Sequence, residues 1–171
     1  MRILLLTSLL FCFLSCKKEA ETQEQSVDLA ETSFQISKDD IAKLNFTEFI
    51  LDAKAGKLLE SWQKYYELDN IINNVNQANL SFFKDNNEIL VAFIEDLKTT
   101  IPERMDSPLI KSRLIALETK MFKLEGVVNL SKPQKKEVLL VVKELLAAFS
   151  NLNLQINKKI EKESQNIQKP Y

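Results

Sequence analysis

Histidine is absent from the 171 residues, and glycine (2), proline (4), cysteine (2) and tryptophan (1) are scarce. The missing histidine removes the commonest general base and the commonest metal ligand near neutral pH. So little glycine, against an average usage near 7%, argues against turn-rich β sandwiches, dinucleotide-binding folds and phosphate-cradling loops. All of these need residues free to take positive φ. An excess of one charge is lacking too: 23 Lys and Arg face 24 Asp and Glu, a net charge of −1, which leaves no bulk attraction to nucleic acid. What remains is a 45% hydrophobic chain of single-domain length, with ample apolar material for a core.

Both cysteines, Cys12 and Cys16, lie in the first sixteen residues. Arg2 and the amino terminus form a basic start, an apolar-to-neutral run follows from Ile3 to Leu14, and Ser15 stands before Cys16 and the pair Lys17-Lys18. The run is about a dozen residues, whereas a bilayer-spanning helix needs roughly twenty. Residues 1–15 therefore read as an export signal that is removed.

The segment Phe13-Leu14-Ser15-Cys16 resembles a bacterial lipobox, with small Ser15 before the cysteine and Phe13 where leucine is usual. Cys12 does not fit, because bulky Phe11 precedes it. The resemblance implies cleavage between Ser15 and Cys16, and acylation of Cys16 as the first residue of the mature chain. Two acyl chains suffice for durable attachment, since each buried CH₂ contributes about 0.8 kcal/mol. The Ser-Cys-Lys-Lys-Glu junction and the helical layout that follows also resemble small helical lipoproteins of Bacteroidota, in particular flavobacteria. That resemblance implies the periplasmic face of the outer membrane and carries no activity. A mature chain starting at Cys16 keeps no other cysteine for a disulfide, so its stability rests on the core.

Residues 16–38 are polar, charged and without helical apolar spacing, which reads as a solvated tether. Such a tether has an average reach of about 25 Å. Beyond it, residues 39–165 carry apolar residues at spacings of three and four, the mark of one helical face, and 166–171 form a tail. The expected fold is all-α, an antiparallel up-down-up-down four-helix bundle.

The first helix is expected to begin at Ser37 or Asp39-Asp40 and reach about Ala78, with the stripe Leu58, Trp62, Tyr65, Leu68, Ile72 and Val75. Within it, Leu44 to Phe49 reads as a possible separate turn. The second spans Phe82 to Thr100, with Leu90, Phe93, Leu97 and Ile101 on one side, and Pro102 stops it. The third opens at Asp106-Ser107-Pro108, carries Ile110, Leu114, Leu117, Met121, Leu124 and Val128, and runs past Gly126 to Asn129. The fourth opens with Ser131-Lys132-Pro133-Gln134 read as a capping box. Its stripe is Val138, Val142, Leu145, Phe149, Leu152, Ile156 and Ile160, ending near Glu163. In this arrangement the start of the first helix and the end of the fourth share the end that faces the tether.

Three Asn-x-Ser/Thr triplets start at Asn45, Asn79 and Asn129. Each falls near an expected helix junction and reads as capping. Trp62, Tyr65 and Tyr66 read as core aromatics whose polar ends reach the rim. Asn70, Asn73, Asn74, Asn76 and Asn79, with Lys132, Lys135 and Lys136, form a candidate interaction patch at the end away from the membrane. The asparagines are equally weak helix formers preparing a turn. Lys158, Lys159 and Lys162 form a second basic group, diluted by Glu161 and Glu163, and Glu60 with Lys64 reads as an i,i+4 surface pair.

No cofactor, metal site or catalytic set emerges, so the chain reads as a non-enzyme. Its expected partners are membrane lipid, through acylated Cys16, and an envelope protein. The expected function is a lipid-anchored envelope module for structure or protein interaction. The alternative is a carrier holding a small apolar ligand between helices near Trp62, Phe93 and Phe149.

Overall fold

The computed structural model describes residues 35–165. The expected signal segment, the expected Ser15–Cys16 cleavage site, most of the expected tether and the 166–171 tail lie outside the described residues. The described chain is all-α, with helices α1 Lys38–Ala42, α2 Ala53–Leu58, α3 Gln63–Asn76, α4 Asn87–Thr99, α5 Pro108–Val128 and α6 Lys135–Ser164. A single 3₁₀ turn, Ser81–Phe83, lies between α3 and α4.

The expected 39–78 helix is three short helices and an irregular strap over residues 43–52. Ser37 caps α1 with a full capping box, its Oγ accepting from the Asp40 amide while Asp40 accepts from the Ser37 amide. The helix then fails at Asn45-Phe46-Thr47, where Asn competes for the backbone and the aromatic and β-branched side chains lose rotamer freedom. Leu44 and Phe46 pack against the core two residues apart, a spacing suited to extended chain. A second break follows α2, where the Trp62 amide donates to the Leu59 carbonyl (2.7 Å) and both side chains are fully buried. Leu59 thus replaces half-buried Leu58 as the inward residue.

The rest of the stripe follows the sequence closely. Trp62, Tyr65, Leu68, Ile72 and Val75 on α3 are buried, as are Leu90, Phe93 and Leu97 on α4. Every stripe residue of α5 and α6 is buried too. Ser107 caps α5 ahead of Pro108 in the first turn, and Asn129 closes it, three residues past Gly126. By length and composition α6 could cross a membrane, but Val138, Val142, Leu145, Leu152 and Ile156 are wholly inside the core. The Ser131 capping box does not form; Gln134 stands at the α6 N-cap with no side-chain bond. Pro133 disfavours the helical conformation at Lys132, which delays the start.

The chain ends are placed differently from expectation. Asp40 of α1 pairs with Lys135 at the start of α6 (2.8 Å). At the other end of α6, Arg104 pairs with Glu163 (3.2 Å). The described chain therefore begins beside the start of α6, about 45 Å of helix away from its end. The long first helix would have put these two ends together; the strap carries the chain along α6 instead.

The two glycines do not serve conformation: neither has positive φ, while Ala78 (φ 62°) and Asp85 (φ 52°) do. Gly126 is exposed within α5, and a Cβ there would meet nothing within 4 Å. Gly126→Ala should stabilise the fold by about 0.5–1 kcal/mol. Ala78→Gly should also stabilise it, by up to about 1 kcal/mol, since it relieves a left-handed alanine. Urea unfolding of the two variants checks both signs.

Candidate functional site

The polar groups that sequence reading missed are Ser150, Asn153 and Asn157, spaced three and four apart on one face of α6. Ser150 and Asn153 are the buried polar side chains among the described residues. Ser150 Oγ accepts from the Phe49 amide (2.6 Å) and donates to the Thr47 carbonyl (2.9 Å). Asn153 Nδ2 donates to the Phe49 carbonyl (3.2 Å), and its Oδ1 accepts from the Tyr65 hydroxyl (2.7 Å). Asn157 Nδ2 donates to the Ile50 carbonyl (2.8 Å), and its Oδ1 accepts from the Asp52 amide (3.0 Å). A helix whose own backbone groups are occupied thus offers the strap a substitute row of donors and acceptors.

The register has a metric reason. Ser150 serves residues 47 and 49, Asn157 serves 50 and 52, so the mean position shifts by three strap residues. Three extended residues advance about 10 Å, and seven helical residues advance about 10.5 Å. The two repeats match over this span.

Aromatic packing fixes the same region. Tyr65 stacks on Phe149 (6.1 Å between ring centroids) and lies 5.7 Å from Trp62. Burial raises the Tyr65 phenol well above its ordinary pKa, so it stays a donor to Asn153. Its polar end does not reach the rim as the sequence suggested, because Asn153 satisfies it inside. Trp62 is also fully buried, and its Nε1 has no hydrogen-bond partner among the described residues. Tyr66 alone reaches solvent, donating to the Gly56 carbonyl (3.1 Å).

The asparagine patch is divided rather than gathered. Asn73 and Asn76 line a cleft of about 200 Å³ between strap, α3 and α6, which also touches Tyr65, Phe149 and Asn153. Asn70 lines a separate groove of about 420 Å³ between α3 and α4, floored by Ile71, Phe82 and Phe93. On its rim Lys64 pairs with Glu67 (2.8 Å) and Asp96 (3.3 Å), taking up the lysine expected to face Glu60. Asn74 and Asn79 work in the turn: the Asn79 amide donates to the Asn74 carbonyl (2.9 Å), and Asn79 Oδ1 accepts from the Ser81 amide (3.0 Å).

Asn129 performs the junction role read from its triplet. Its Nδ2 donates to the Phe83 and Glu125 carbonyls (2.9 and 3.0 Å), and its Oδ1 accepts from the Asp85 amide (3.1 Å). Asn45 makes no such cap, and Thr47 serves the strap instead. Of the lysines, Lys135 is engaged by Asp40, while Lys132 and Lys136 are exposed with no ion pair among the described residues. These groups lie at the end where α1 begins, not at an end remote from it.

Several of the remaining charges are matched. Lys158 pairs with Glu161 (2.8 Å), Lys159 with Glu163, and Glu144 takes both Lys120 and Lys123 (3.0 and 2.9 Å). Lys123 and Lys120 hold the Glu144 carboxyl below its ordinary value. Among the described residues no group of three or more His, Cys, Asp or Glu is placed to hold a metal ion. Compared with known proteins, the chain matches no family model, no curated protein and no solved structure.

Asn153→Ala strands the Tyr65 hydroxyl and the Phe49 carbonyl, and should destabilise the fold by about 2–4 kcal/mol in urea unfolding. Tyr65→Phe should cost less in that background than in the wild type, with a coupling of about 1 kcal/mol.

A second prediction concerns pH. Lys135 and the Ser37 groups hold the Asp40 carboxyl well below its ordinary value of 3.8. A carboxylate depressed on folding adds stability above its ordinary pKa and loses it as pH falls through the folded value. Acid titration of stability should therefore steepen below about pH 3.8, and Asp40→Asn should flatten that limb.

Proposed function

We propose that the chain is a lipid-anchored protein of the bacterial envelope, acting as a structural or protein-interaction module without catalysis. The observation that carries this reading is the use of the interior's polar groups. Ser150 and Asn153 are both spent on holding the strap and Tyr65, which is a structural task. The anchor rests on the lipobox-like Phe13-Leu14-Ser15-Cys16.

In this reading α3, α4, α5 and α6 form the antiparallel four-helix bundle, and α1, the strap and α2 form a brace along it. Three cross-links support the alternation of directions. Lys64 at the start of α3 pairs with Asp96 late in α4 (3.3 Å). Asp85, just before α4, bonds Asn129 at the end of α5 (3.1 Å). Arg104, just before α5, pairs with Glu163 late in α6 (3.2 Å). Such a brace stiffens a tethered domain, as suits a protein that presents a fixed surface.

The carrier alternative draws on the cleft beside Phe149, whose volume of about 200 Å³ is below the roughly 300–1,000 Å³ of small-molecule pockets. Phe93 lines a different groove of about 420 Å³, within that range, so the level expected to hold a ligand is split between two sites. The split favours the interaction module.

Metabolic palmitate labelling tests the anchor. The wild type should take up label and fractionate with membranes, while Cys16→Ser should lose the label and accumulate as the longer precursor. Equal size and fractionation of the two would overturn the reading. In-cell cross-linking should then recover a reproducible envelope partner.

A further inference from the structure

The strap reverses which end of the domain the anchor chain leaves from. Gln35 and Ser37 are exposed next to α1, whose Asp40 is tied to Lys135. The loop joining α5 to α6 projects there, with Leu130 half exposed between Asn129 and the exposed lysines Lys132 and Lys136. Neither lysine has an ion pair among the described residues. At the opposite end Arg104, Lys111, Lys158 and Lys159 are each taken up by an acid, while exposed Lys162 shares a groove with Leu109 and has no ion pair among the described residues.

We propose that the end bearing the α5–α6 loop rests on an anionic lipid surface, with Leu130 at headgroup depth and Lys132 and Lys136 beside the phosphates. The proposal builds on the lipid-anchored reading. Eighteen residues separate Cys16 from Gln35, and a tether of that length has an average reach of about 25 Å. The length of α6 is about 45 Å, so the far end with Lys158 and Lys159 lies beyond that reach. An exposed apolar residue flanked by lysines suits the boundary, where the side chain enters the acyl edge and each lysine near the surface adds attraction. Asp39, Asp85, Glu88, Glu125 and Glu137 belong to the same end, Glu88 and Glu125 lining a groove with Asn129, so the attraction is local to the loop.

Quenching by lipid distinguishes the outcomes. The full-length protein, purified from membranes, carries Leu130→Trp or Leu109→Trp and is placed in vesicles containing brominated phosphatidylglycerol or brominated phosphatidylcholine. Wild type, with only buried Trp62, sets the background. Added quenching is expected at position 130 and not at 109, and more strongly with phosphatidylglycerol. Lys132→Gln and Lys136→Gln should each lower the ratio of apposed to detached protein about fivefold.

No added quenching at 130, equal quenching at 109, or indifference to both lysines would overturn the proposal. Intact mass of the same sample separates it from its premise. Quenching at 130 with unmodified Cys16 removes the anchor and leaves the surface. Acylated Cys16 without that quenching removes the surface alone, and failure of both removes both.

Discussion

The structure depends on one row of hydrogen bonds. A chain segment that is neither helix nor sheet has backbone donors and acceptors to satisfy, and leaving them unpaired against a core is costly. Ser150, Asn153 and Asn157 solve this for residues 47–52 by presenting side chains at a helical spacing that keeps step with extended chain. Because of that row the strap can run along α6 instead of folding back as helix. The strap in turn sets where the chain from the amino terminus meets the domain. Tyr65, held by Asn153 and stacked on Phe149, joins the row to the aromatic core.

Much of this was legible in the residues. The stripes of α5 and α6, the Ser107-Pro108 start and the Asn129 end follow from apolar spacing and capping chemistry, because those helices are long enough for periodicity to dominate. The 39–78 region was misread because Leu58, Trp62, Tyr65 and Leu68 do lie at helical spacing, and the pattern invites extension backward. Asn45, Phe46 and Thr47 oppose it, but their local preference is weak beside a strong stripe, and the decisive partner lies about a hundred residues away. A signal for that partner existed: two Asn and a Ser at spacings of three and four, inside the longest helix, one apolar enough by composition to cross a membrane. Weak helix formers have no propensity reason to be there, so they announce a bonded neighbour without naming it.

The same logic explains why the candidate patch dissolved. Asparagines gathered in sequence were distributed by the helix to different sides: Asn70 to the α3–α4 groove, Asn73 and Asn76 to the strap cleft, Asn74 and Asn79 to the turn. Low glycine content also acquired a meaning that composition alone did not carry. The left-handed positions fall on Ala78 and Asp85 while both glycines sit in helices, so the fold accepts local strain at its turns. The polar interior is committed to architecture: Ser150 and Asn153 hold the strap and Tyr65.

Amide hydrogen exchange across the strap measures the central interaction directly. The amides of Phe49 and Asp52, bonded to Ser150 and Asn157, should exchange far more slowly than those of Glu48, Ile50 and Leu51 in the same stretch. Replacing Asn157 with alanine should release Asp52 while Phe49 stays protected. Uniformly fast exchange from 47 to 52, or uniform protection of every amide there, would contradict the account.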